Sequence, residues 1–90
     1  MYIHVGDNVI LKTSEIIGFL DVETLKENRT NLRILNMLKK QSPEIKTVII
    51  IEKDGNIEEL FSIISTRTLR NRIKKWEKRN IVIDFDNREI

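Results

Sequence analysis

The sequence predicts a small α+β domain, on three observations. Sixteen of its 90 residues are isoleucine, a β-branched type that favours sheet. The run Thr47–Glu52, TVIIIE, is continuously β-branched up to its last residue and is followed by Asp54-Gly55, a strong hairpin signal. Leu32, Ile34, Leu35, Met37 and Leu38 recur at helical spacing. The expected architecture is a small antiparallel sheet with an N-terminal hairpin, a central strand pair and two helices.

Taken in order, Tyr2–Val5 and Val9–Lys12 read as strands. Gly6-Asp7-Asn8 joins them, since these residue types tolerate positive φ. Thr13-Ser14-Glu15 reads as a single turn with a hydroxyl able to cap it. Ile16–Val22 reads as a third strand, in which Gly18 signals a bulge or a close backbone approach. A helix is predicted over residues 29–41, with Thr30 or Asn31 at its N-cap and Ser42-Pro43 as its stop. Residues 23–29 are compatible with an extension of that helix or with a loop. Thr47–Glu52 is the central strand, an unbroken apolar run being the pattern of a strand covered on both faces. Ile57–Ile64 is its partner. Ser65 or Thr66 then caps a second helix in which Leu69, Ile73 and Trp76 form one apolar stripe. Ile81–Phe85 alternates, as a last strand or an extended tail. Residues 1–79 are expected to form the single domain and residues 80–90 a C-terminal tail.

Ninety residues bury only a limited core, so association of subunits is a natural source of further stability. With no cysteine there is no disulfide, thiolate metal site or thiol chemistry. The opening MYIHVGDNVI lacks a basic segment followed by a long apolar one, and the longest aliphatic run, Val48–Ile51, is too short to span a bilayer. A cytoplasmic protein is expected.

Charge is the chain's most informative property. Residues 65–79, STRTLRNRIKKWEKR, carry seven basic residues and one acidic, a local charge of +6 within a chain of net charge +2. A field concentrated on one helix is what a polyanion meets. Arginine outnumbers lysine within residues 67–72, and its planar fork suits phosphate. The plainer explanation is a solvated face whose late cations complement the helix dipole. A membrane surface fits less well, because the short apolar stripe with Trp76 is committed to packing.

Catalysis has little to stand on. His4 is the sole histidine and lies in a strand. Asp84 and Asp86 alternate on one face as a solvated edge would, and Ser65-Thr66 is an N-cap before it is a nucleophile. Gly6, Gly18 and Gly55 are too scattered for a phosphate-cradling loop. No enzyme activity, cofactor or metal is expected.

As a whole the chain resembles the RemB branch of the Rem family, small bacterial regulators of extracellular-matrix genes. Met1–Val9, MYIHVGDNV, followed by Glu15–Asp21, EIIGFLD, is similar to the start of that branch. Phe61–Leu69, FSIISTRTL, with basic residues following, resembles a second family signature. The likeness covers about residues 1–73; the tail matches nothing in it. It implies a fold similar to the DNA-binding domains of LytTR response regulators. It also implies a homo-oligomer, a ring in the related RemA proteins, whose repeated arginines contact double-stranded DNA. By position those arginines correspond to Lys12–Ser14 and Glu44–Lys46, where this chain supplies only Lys12 and Lys46.

The expectation is therefore a non-enzymatic, oligomeric DNA-binding transcription regulator. Its candidate phosphate contacts are Lys12, Lys46, Arg67, Arg70, Arg72, Lys74 and Lys75. The alternative is an oligomeric protein–protein adaptor, favoured by Ser14 and Glu44 standing where the relatives are more basic.

Overall fold

A computed structural model describes residues 1–80 apart from Asp7 and Thr30, with residues 76–80 as backbone alone. The expected last strand at Ile81–Phe85 and the Trp76 side chain lie outside the described residues.

Strands β1 (Tyr2–Gly6) and β2 (Val9–Lys12) form the opening hairpin, paired Tyr2 with Lys12, Ile3 with Leu11 and His4 with Ile10. The two-residue period of a strand turns Ile3, Val5 and Leu11 into the core and leaves Tyr2, His4, Ile10 and Lys12 exposed. The turn bends through Asn8, at φ 59°. A 3₁₀ turn over Thr13–Glu15 follows, without the expected side-chain cap. The N-cap position falls on Lys12, which has no side-chain oxygen. Thr13 instead donates from both its N–H (2.8 Å) and its Oγ1 (3.2 Å) to the Met1 carbonyl, tying the end of β2 to the start of the chain.

A second sheet contains β3 (Ile16–Asp21), β4 (Thr47–Lys53) and β5 (Asn56–Ser62), all antiparallel with β4 in the middle. Its register stacks Phe19, Ile49 and Leu60 on one face and Leu20, Val48 and Phe61 on the other. Both faces are covered, as the apolar run predicts. A register shift between Ile16 and Gly18 leaves Ile17 exposed. Nothing lies within 4 Å of a Cβ placed at Gly18, so that glycine marks a bulge and not a close approach. Asp54 (φ 52°) and Gly55 (φ 83°) close the β4–β5 hairpin with two positive φ values, the requirement of a type I′ loop. β5 ends two residues short of the expected Ile64. There Ser62 Oγ accepts the Ile64 N–H at 3.0 Å and donates to the Val5 carbonyl at 2.5 Å, turning the chain out of the sheet.

Three α-helices lie among the described residues. Of residues 23–29, open in the sequence, 23–28 belong to a helix of their own, α1 (Val22–Asn28), which also takes Val22 from the expected strand. Asp21 Oδ2 caps it by accepting the Thr24 N–H at 3.1 Å. Arg29 ends it in the left-handed region, its N–H bonded to the Leu25 carbonyl at 2.9 Å. Helix α2 (Leu32–Leu38) is shorter than the predicted 29–41 and is capped by Asn31 Oδ1. Helix α3 (Thr66–Asn80) is the basic one.

Two apolar clusters hold these parts together. Ile3, Val5 and Leu11 of the hairpin meet Ile49 and Ile51 of β4 and Leu69 of α3 on one face of the sheet. Val22, Leu25 and Ile34 of α1 and α2 meet Val48 on the other. An ion pair between Arg33 and Glu59 joins α2 to β5. Glu59's hydrogen bond, and then its charge, raise the Arg33 guanidinium above its ordinary value.

Candidate nucleic-acid interface

Helix α3 is oriented by its first turn and its apolar stripe. Ser65 Oγ accepts the Thr68 N–H at 3.2 Å, which makes Ser65 the N-cap. Thr66 is buried, with its Oγ1 2.8 Å from Thr47 Oγ1 on the central strand. Thr47 in turn donates to the Ile64 carbonyl at 2.8 Å. A carbonyl only accepts, so the single Thr47 hydroxyl hydrogen is committed there, and the Thr66 hydroxyl hydrogen has two acceptors in reach, Thr47 Oγ1 at 2.8 Å and Asp21 Oδ1 at 3.4 Å. Leu69 is completely buried and Ile73 is half-buried against the same cluster.

With Thr66, Leu69 and Ile73 facing inward, Arg67, Arg70, Arg72, Lys74 and Lys75 are all exposed. The ion pair Arg33–Glu59, the one such pair among the described residues, involves none of them. Four of the five have no described hydrogen-bond partner. The fifth, Arg72, donates from Nη1 to the His4 carbonyl at 2.7 Å. Its guanidinium thereby fastens α3 to β1, leaving its remaining N–H groups for another acceptor.

Lys12 and Lys46 are exposed as well, and the segments that carry them border α3. Glu44 and Lys46 share a cleft of about 510 Å³ with Ser65, at the start of the helix. Thr13 and Ser14 share one of about 420 Å³ with Ile73, further along it. The Lys46 main chain is held at both ends: its N–H donates to the Ser62 carbonyl (2.8 Å) and its carbonyl accepts from Val22 (3.0 Å). The first cleft is electrically mixed, with Lys26 and Lys46 facing Asp21, Glu23 and Glu44.

Lys26 is a cation that sequence reasoning missed, because residues 23–29 had no assigned conformation. The signal was present: Asp21 and Thr24 stand at cap spacing ahead of Leu25. The His4 carbonyl was not discoverable, since any residue supplies one. Among the described residues no three His, Asp or Glu side chains group as metal ligands would, and no helix is long and apolar enough to cross a membrane.

Comparison with protein-family models, with curated proteins and with solved structures returns no match for this chain.

Proposed function

We propose that the protein is a non-enzymatic, oligomeric, cytoplasmic DNA-binding regulator of the Rem type. The observation that carries this reading is α3. Leu69 and Ile73 of its apolar stripe pack in the core, and five cationic side chains stand exposed along it within nine residues. A capped helix sets the spacing of its cations along one element, an arrangement suited to a phosphate backbone. Lys46 shares a cleft with Ser65, and Thr13–Ser14, next to Lys12, share one with Ile73, which supports reading the positions implied by the family likeness together with the basic helix. In this reading Arg67, Arg70, Lys74 and Lys75 bind phosphates, Lys12 and Lys46 extend the track, and Arg72 serves both helix anchoring and DNA. Repetition around an oligomer multiplies each contact.

The experiment is a titration of the full chain against a mixed-sequence DNA duplex at two salt concentrations, with the mass of the complex followed. Salt-sensitive binding by a multimer is the expected result. No binding at low salt refutes the reading.

One observation favours the adaptor alternative. Tyr2 and Ile10 are large, apolar and exposed on the outer face of the hairpin. A protein partner covers such a face and DNA does not. Loss of a partner on Ile10→Asp, with DNA absent, is what that reading expects.

A further inference from the structure

On the side of the molecule away from the hairpin, α1 and α2 enclose a groove of about 460 Å³. Its floor is apolar, with Leu32, Leu35 and Leu38, and Leu32 is 62% exposed. Its charged lining is entirely cationic: Lys26, Arg29 and Lys39. The Arg33–Glu59 pair, alone among the described residues, leaves these three outside any described ion pair, and Lys26 also borders the acidic side chains of the adjoining cleft.

A groove of this kind fits an extended peptide that is apolar and acidic together. Residues 81–90, IVIDFDNREI, have that chemistry: Ile81, Val82, Ile83 and Phe85 are interleaved with Asp84 and Asp86, and the net charge is −2. The Phe and Ile side chains match the leucine floor, and the aspartates match the lysine and arginine rim.

Reach decides whose segment it is. Lys26 and Pro43 line both this groove and the cleft containing Ser65, so the groove lies near the start of α3. Ile73 lines a different cleft with Thr13–Phe19, so α3 runs away from the groove. Its 15 residues carry the chain about 22 Å at ~1.5 Å each. Ten extended residues span at most about 36 Å. A return to the chain's own groove consumes roughly six residues at that spacing, and those six are the apolar and acidic ones. We propose that the groove receives residues 81–90 of a second copy of the chain. This inference is independent of the DNA reading, since the groove lies on α1 and α2.

The test uses a fluorescently labelled synthetic peptide of residues 81–90. It is titrated with the full chain carrying Phe85→Lys, whose own segments compete poorly. Saturable, salt-weakened binding is expected, reduced about tenfold or more by adding either Leu32→Asp or Arg29→Glu. Leu32 is exposed, so its replacement leaves the core intact. Absence of saturable binding, or binding that Leu32→Asp does not alter, overturns the proposal. In sedimentation, Leu32→Asp in the otherwise unaltered chain lowers the average mass. An unchanged mass, with peptide binding retained, assigns the groove to the chain's own segment and overturns the exchange between copies.

Discussion

The Arg72 guanidinium meets the His4 carbonyl at 2.7 Å, linking the basic helix to the opening strand across 68 residues of sequence. Arg70, on the same helix, makes no such bond. The two arginines therefore separate structure from binding. Arg72→Ala is expected to lower stability by about 1 kcal/mol, the usual net worth of such a hydrogen bond. Arg70→Ala stays within about 0.5 kcal/mol of the parent, as exposed substitutions do. Urea unfolding midpoints check both, and equal midpoints for the two variants refute the anchoring role.

Thr47 and Thr66 share a hydrogen bond that ties the Ile64 carbonyl to the first turn of α3. Thr47→Val removes the side-chain donor to the Ile64 carbonyl and leaves the Thr66 hydroxyl only the more distant Asp21 Oδ1. It is expected to cost roughly 1–3 kcal/mol. Adding Thr66→Val to it costs less than the sum of the single changes, because the hydrogen bond the two hydroxyls share is lost only once. Strict additivity in a double-mutant cycle contradicts the shared bond.

The Arg33–Glu59 pair makes a statement about pH. Arg33 is raised above its ordinary value. A raised folded value means the stabilisation is fully present below the unfolded guanidinium's titration and is lost only as pH climbs through the folded one. That window lies far into alkali. The stability difference between the parent chain and Arg33→Met is therefore expected to be constant from about pH 6 to pH 10. Chemical unfolding at several pH values measures it, and a difference that falls away within that range contradicts the assignment.

Gly55 and Gly18 make a contrasting pair. Gly55 sits at φ 83°, where a Cβ is strained, so Gly55→Ala is expected to cost about 1–2 kcal/mol. Gly18 has no positive φ and has open space around it. Gly18→Ala is expected to be neutral or slightly stabilising, by reducing the freedom of the unfolded chain. Thermal unfolding of the two variants settles the contrast.

Much of this fold is legible in the sequence because its strands carry local signals. The run Thr47–Ile51, the Asp54-Gly55 turn and the alternation of Tyr2–Val5 act within a few residues, and each marks its element. The α1–α2 boundary is less legible. Leu25 and Leu32–Leu38 share a helical rhythm, and the break between them rests on Arg29 adopting a left-handed conformation that its residue type does not advertise. The candidate interface divides the same way. The charge of α3 and its inward stripe are local and readable. The Arg72 anchor and the clefts bringing Lys46 and Thr13–Ser14 beside α3 arise from tertiary packing, which no spacing along the chain encodes.

The central claim is that the outward cations of α3 neutralise DNA phosphates. The most direct measurement is the slope of log affinity for a DNA duplex against log salt concentration, for the parent chain and for Arg67→Ala/Arg70→Ala/Lys74→Ala. All three residues are exposed and outside the anchor, so the variant folds. The account predicts weaker binding and a slope whose magnitude falls by about 0.9 for each phosphate that a DNA-bound subunit no longer neutralises. An unchanged affinity and slope in a folded variant contradict it and leave α3 as a surface for a protein partner.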